Sequence, residues 1–177
     1  MFLLKETFIG VSEELSHSEH AYVLPPVVQP DHVLGFLEAI NNLTGTVDPM
    51  YLGDILGEKI DLLPHVIDVA SHLGLIEVLE NGNVRLTQLG KEIVDGDVQR
   101  VKERMRKIID KIEPFRTIIK VLRRKKRIII EEFMEIAERF YPYNTTEAVK
   151  TILEWGAFAE LFRMSPDDEY VFITQRT

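Results

Sequence analysis

The chain contains no cysteine, which rules out disulfides, thiolate metal sites and a cysteine nucleophile. It has no G-x-x-x-x-G-K-[ST] phosphate loop, no G-x-S-x-G elbow and no H-E-x-x-H zinc helix. A P-loop nucleotidase, an α/β-hydrolase and a zincin are thereby excluded, and we expect a protein that is not an enzyme and holds no cofactor. Long apolar runs are also missing. The opening Met1-Phe2-Leu3-Leu4-Lys5-Glu6 is only briefly apolar and has no basic leader, so neither a secretory signal nor a membrane span is expected. A cytoplasmic location is the expectation.

What is present is ordinary in bulk and uneven in distribution. The chain has 177 residues, 45% of them hydrophobic and 28% charged, enough to bury a core in one domain or two small ones. The net charge is -8, yet the segment from Lys91 to Arg127 carries fourteen of the 21 Lys and Arg residues against six acids. Such a split suits an interaction surface or an electrostatic match within the molecule, and the sequence leaves both open.

Turn and cap signals divide the chain. Residues 1–30 read as an extended lead-in, since Pro25, Pro26 and Pro30 disfavour helix and ladder. Asp31 is placed to cap a helix through Leu43, with Val33, Phe36, Leu37 and Ile40 on one face. Gly45-Thr46-Val47 reads as a short strand-like link. Asp48-Pro49 opens a second helix, stopped by Gly57. A third starts near Asp61, buries Leu63, Val66, Ile67, Ala70 and Leu73, and ends at Gly74. Strands over Leu75 to Glu80 and Val84 to Leu86 flank Asn81-Gly82, a strong hairpin signal, and Thr87 caps the next helix.

A fainter echo follows. Pro114 to Leu122 reads as helix, Arg127-Ile128-Ile129 as strand and Ile130 to Phe140 as helix. Asn144-Thr145-Thr146-Glu147 has a capping-box pattern, opening a helix that ends at Trp155-Gly156 as the earlier one ends at Leu73-Gly74. Ser165-Pro166-Asp167-Asp168 then turns into a return strand ending Ile173-Thr174, as the first ends Leu86-Thr87. The expected fold is mainly helical with small hairpins (α+β): two winged helix-turn-helix-like units joined by a long, kinked helical segment. The units span 31–96 and 114–177, with a connecting helix over 97–113.

That connector begins the most regular pattern in the chain. Val98, Val101, Met105, Ile108, Ile112, Phe115, Ile119 and Leu122 recur at three- and four-residue steps, an apolar seam of coiled-coil type with a kink expected at Pro114. The seam fits packing between the units or a homodimer, and the pattern alone does not name its partner helix.

The winged order suggests DNA, but the charges oppose it. Phosphate and base contacts draw on Lys, Arg, Asn and Gln, whereas the helix after Asp61 offers Asp61, His65, Asp68 and His72 outward, and its hairpin adds Glu77 and Glu80 to a single Arg85. The corresponding helix of the second unit offers Glu147, Lys150, Thr151 and Glu154. The genuinely basic cluster is Arg123-Arg124-Lys125-Lys126-Arg127, the candidate interaction surface, read alternatively as a solvated loop after a helix. No aromatic is interleaved with it, which argues against single-strand stacking. His65, Asp68 and His72 share a helix face, and His17 pairs with His20, but neither set has three ligands of known geometry, so no metal is expected.

His32-Val33-Leu34-Gly35-Phe36-Leu37, Asp61-Leu62-Leu63-Pro64, Leu86-Thr87-Gln88-Leu89-Gly90 and the run Glu154-Trp155-Gly156-Ala157-Phe158-Ala159-Glu160-Leu161-Phe162 carry a family likeness. From about residue 30 onward the chain resembles the C-terminal AAA-associated domain that follows the ATPase of nitrate-, sulfonate- and taurine-type ABC importers. The resemblance implies tandem winged-helix-like units, no catalytic residues and a protein partner, an importer ATPase subunit. The alternative expectation is a winged-helix transcriptional regulator.

Overall fold

The computed structural model describes residues 21–56 and 61–174. The lead-in before residue 21, with His17 and His20, and the Gly57 helix stop lie outside the described residues. Eight helices and five short strands follow one another among the rest, a mixed α+β fold.

Helix α1 (Pro30–Asn42) starts two residues before the expected His32. The cap is Gln29, not Asp31: its carbonyl takes the His32 amide at 3.2 Å while its own amide donates to His32 Nδ1 at 3.1 Å, and Pro30 sits in the first turn. Two orphan donors are met reciprocally, so Asp31 is left as a first-turn acid near the positive end of the helix dipole. Val33, Phe36, Leu37 and Ile40 are buried as their spacing predicts. Val47 pairs with Val84 in an antiparallel bridge. Helix α2 (Pro49–Leu56) follows, with the Met50 amide donating to Asp48 at 3.0 Å.

Helix α3 (Leu63–His72) begins later than Asp61, because Asp61 and Leu62 form a turn ahead of Pro64. It ends as expected. Gly74 has φ +70°, its amide donates to Ser71 and the Leu75 amide reaches back to Ala70 at 2.9 Å, which satisfies the last carbonyls. Strands β1 (Ile76–Val78) and β2 (Val84–Leu86) pair antiparallel. Their loop closes through Leu79 and Asn83, with Gly82 at φ +84°. Helix α4 (Gln88–Asp95) is capped by Thr87, whose Oγ1 accepts from the Gly90 amide and donates to the Gly74 carbonyl.

Helix α5 (Val98–Ile109) is capped by Asp97, and residues 110–114 then turn the chain, including a cis Glu113–Pro114 peptide. Helix α6 (Phe115–Lys125) runs one turn past the expected Leu122, and Lys126 at φ +70° swings the chain into β3 (Arg127–Ile129). Helices α7 (Ile130–Phe140) and α8 (Thr145–Phe158) and strands β4 (Phe162–Met164) and β5 (Tyr170–Ile173) complete the fold. The sheet order is β3-β5-β4, all antiparallel.

Two expectations on α8 fail. Asn144 makes no side-chain cap; Thr145 instead donates to the Tyr141 carbonyl at 2.8 Å. The helix also runs through Gly156. Its left-handed terminator is Glu160 at φ +53°, with Glu160 donating to Ala157 and Leu161 to Gly156, the bond pattern seen around Gly74. The residue equivalent to Gly74 is therefore Glu160, one helical turn later. After each terminator the same bond recurs: Thr87 donates to Leu75, and Thr174 to Leu161, both at 3.0 Å. Gly156 serves packing, since a Cβ there would lie 2.2 Å from the buried Phe162 ring.

One continuous apolar core runs through both halves, with Trp155 fully buried. Residues 21–29 are threaded into it as a strap. Leu24 and Val28 are buried, and Glu113 bridges Val23 in parallel, accepting from the Leu24 amide and donating its own amide to the Tyr22 carbonyl. Three side chains of the second half donate to strap carbonyls: Tyr141 to Leu24 at 2.6 Å, Thr151 to Pro26 at 2.6 Å and Trp155 to Val28 at 2.7 Å. Buried donors need partners, and an extended proline-rich segment has free carbonyls to offer.

Candidate interaction surface

The basic segment divides between two helices. On α5 every cation is answered within the chain. Arg106 bonds Glu160 at 2.7 Å and the Ala159 carbonyl at 3.0 Å, and Lys102 adds to Glu160 at 3.4 Å. Arg104 meets Glu92 at 2.9 Å, Lys107 meets Glu103 at 3.2 Å and Arg100 meets Asp97 at 3.3 Å. The Glu160 cluster is largely shielded from solvent and clips α5 to the end of α8.

On α6 the pattern reverses. Phe115, Ile118, Ile119 and Leu122 are buried, so Arg116, Lys120, Arg123 and Arg124 share the outward face at helical spacing. Arg127 and Lys126 extend that stripe into the strand. Among the described residues no carboxylate lies within ion-pair distance of Lys120, Arg123, Arg124 or Lys126, and Arg116 reaches Glu113 only at 4.0 Å. Lys125 is answered by Glu132 at 2.5 Å, and Arg127 lies over the Tyr170 ring at 4.7 Å. The five-residue cluster is thus a helix end and a strand start rather than a loop. Like charges about 6 Å apart in water repel by roughly 0.7 kcal/mol before screening, which an anionic partner would relieve.

The apolar seam is consumed by the core. Met105, Phe115 and Leu122 are fully buried, Ile119 and Ile112 nearly so, and Val101 and Ile108 pack at its margin. Val98 alone of the eight stands out, 68% exposed.

Helix α3 presents His65, Asp68 and His72 to solvent, as their spacing predicts, and Asp61 is exposed in the turn before it. The strap partly covers that face. The Tyr22 ring stacks on His72 with centroids 3.9 Å apart, and its hydroxyl donates to Asp68 at 2.7 Å. Burial, reinforced by that carboxylate, raises the Tyr22 phenol well above its ordinary range. Arg85 is spent on Glu77 at 2.7 Å. On α8, Thr151 is buried on the strap while Glu147 and Lys150 are exposed. Among the described residues no group of three His, Asp or Glu is placed to hold a metal ion.

Comparison with protein families decides the identity. The model of the C-terminal AAA-associated domain matches residues 50–165, from the first turn of α2 to the end of β4. The chain belongs to this family. Membership links this AAA-associated domain to ATPases of the ABC/AAA type. Comparison with curated proteins and with solved structures finds no match. Among the described residues no helix is long and apolar enough to cross a membrane.

Sequence reasoning missed two features of this AAA-associated domain. One is the strap. The prolines signalled an extended segment, but only long-range hydrogen bonds reveal what it closes. The other is the outer face of the β3-β5-β4 sheet. Arg127, Tyr170, Phe172 and Arg163 all point outward, because Ile128 and Val171 between them are buried. Aromatics are therefore interleaved with the basic cluster after all, across strands instead of along the chain. The alternation in Tyr170-Val171-Phe172 was legible, but its register against Arg127 was not.

Proposed function

We propose that this chain is a non-catalytic accessory domain that acts by protein–protein contact on the ATPase of a nitrate-, sulfonate- or taurine-type ABC importer, on the cytoplasmic side. Family membership supports the ATPase context. The observation that carries the contact reading is the division of charge: α5 spends its cations internally, whereas Lys120, Arg123, Arg124 and Lys126 on and after α6 have no carboxylate partner among the described residues. Unpaired cations on a rigid helix steer and orient an acidic partner more than they stabilise a fold.

The order helix, short strand or bridge, two helices, two strands occurs twice, in α1–β2 and in α6–β5. We read both as winged-helix units, which keeps a transcriptional regulator as the second reading. The exposed acids of α3 and the Tyr22 cover weigh against groove docking. A homodimer is the less favoured assembly, because the seam is buried apart from Val98.

Biolayer interferometry against a purified importer ATPase of this class tests the proposal. The triple reversal Arg123→Glu, Arg124→Glu, Lys126→Glu is expected to weaken binding about ten-fold or more, with the wild-type affinity falling as salt rises. Absence of ATPase binding, together with tight salt-dependent binding to duplex DNA in gel shifts, would transfer the assignment to the regulator.

A further inference from the structure

The α6 stripe continues onto a second surface with different chemistry. Register places Arg127 and Arg163 on either side of Phe172, and Ile129 opposite Tyr170. The Arg163 guanidinium lies over the Phe172 ring at 4.8 Å and that of Arg127 over Tyr170 at 4.7 Å. Both arginines are exposed and Ile129 is 46% exposed, so the face is open among the described residues.

Contact with a ring face restrains each guanidinium at low entropic cost and leaves its N–H groups free for a ligand. A held fork of this kind matches a carboxylate or phosphate bidentately, where a mobile lysine acts only as a point charge. Because the rings are already covered by the arginines, they offer no free faces for nucleobases. Two further details favour a protein over a polyanion. Ile129 puts an apolar contact inside the patch, the arrangement of an interface centre. The hairpin tip beside it carries Asp167, Asp168 and Glu169, and the Ser165 hydroxyl and the Glu169 amide hold the Asp167 carboxyl below its usual range, so the tip stays anionic. A continuous phosphate backbone would be repelled there, whereas a protein can set a cation against it.

We propose that the outer face of β3-β5-β4 is a carboxylate-recognising platform, on which Arg127 and Arg163 grip the carboxylates of a leucine-containing protein segment, Ile129 receives its apolar side chain and the hairpin tip meets a lysine of the same segment. The proposal deepens, and rests on, the reading of this chain as a docking domain. It assigns the α6 stripe to steering and the sheet face to selection.

The probe is a fluorescein-labelled acidic peptide with Asp and Glu residues, central leucines and a flanking lysine, titrated by anisotropy against the full chain. The same peptide with Asn and Gln for its acids, an oligouridylate and phosphatidylserine vesicles are run beside it. Expected is binding of the acidic peptide alone, weakened about ten-fold or more by Arg163→Ala. Arg163→Lys is expected to fail as a rescue, because it restores charge but not the plane. Phe172→Ala should weaken binding too, Ile129→Asp should abolish it, and Arg100→Ala, at an already paired site, should leave it unchanged. Circular dichroism checks that each variant folds. Full affinity in Arg163→Lys, equal affinity for the Asn/Gln peptide, or tighter binding to the oligouridylate or the vesicles would each overturn the proposal. ATPase binding that survives Arg163→Ala and Ile129→Asp but is lost on α6 charge reversal would sink this inference and leave the docking reading standing. Peptide capture without any ATPase binding would do the opposite.

Discussion

Replacing Tyr141 with phenylalanine isolates the strap. The Tyr141 hydroxyl is buried and donates to the Leu24 carbonyl at 2.6 Å, so Tyr141→Phe keeps the ring and leaves a carbonyl in the core without its donor. A loss of that kind costs about 1–3 kcal/mol. For a chain of this size it lowers Tm by roughly 2–12 °C. The pH dependence gives a second, sharper reading. Burial, with the charge of Glu113 behind it, raises the folded-state value of this phenol above its ordinary 10.0. Its contribution is therefore complete below about pH 10 and is lost as pH rises, because only the unfolded phenol can ionise. Beyond that point wild type gives up about 1.4 kcal/mol per pH unit more than the Phe variant, because the raised Tyr22 phenol acts equally in both proteins. Urea unfolding followed by fluorescence of the single, buried Trp155 at neutral pH, pH 9 and pH 11 measures both. The gap between the two proteins should be open at neutral pH and narrow by about 1.4 kcal/mol from pH 9 to 11. Equal stability at neutral pH, or a gap that ignores pH, would refute the docking of the strap.

Other perturbations address the turns and the clasp. Gly156→Ala should destabilise by about 1–3 kcal/mol or more, because the new methyl meets the trapped Phe162 ring, and thermal melts read the loss. Gly74→Ala, with open space but φ +70°, should cost only about 1 kcal/mol by the same measurement. Thr87→Ala removes the α4 cap and the bond to Gly74, for about 1–2 kcal/mol in urea, and Thr87→Ser should restore most of it. Glu160→Gln weakens the hold on Arg106 and Lys102, and after allowance for partial exposure a loss of about 1–2 kcal/mol is expected in the same urea titration.

What the sequence disclosed is local. Gly74, Asn81-Gly82, Thr87 and Asp48-Pro49 act within a few residues of themselves, and each does in the structure what its spacing announces. Hydrophobic period was similarly reliable, since Val33, Phe36, Leu37 and Ile40 share a buried face. Misreadings arose where a distant partner decides. Gly156 resembled a terminator, but Phe162 needs its missing side chain and Glu160 ends the helix. Asp31 resembled a cap, but Gln29 and His32 satisfy each other first. The basic segment read as one surface, although half of it is neutralised by Glu160, Glu92 and other acids within the chain. Likewise the Arg–aromatic pairs depend on strand register, which no spacing along the chain encodes.

Amide hydrogen exchange of the chain with and without an importer ATPase of this class tests the central claim most directly. We predict that protection on binding concentrates in the last turns of α6 and in β3, residues 120–129, while α3 exchanges as it does in the free chain. Protection confined to α3 and the β1–β2 hairpin, with residues 120–129 unchanged, would contradict the assignment of the docking surface.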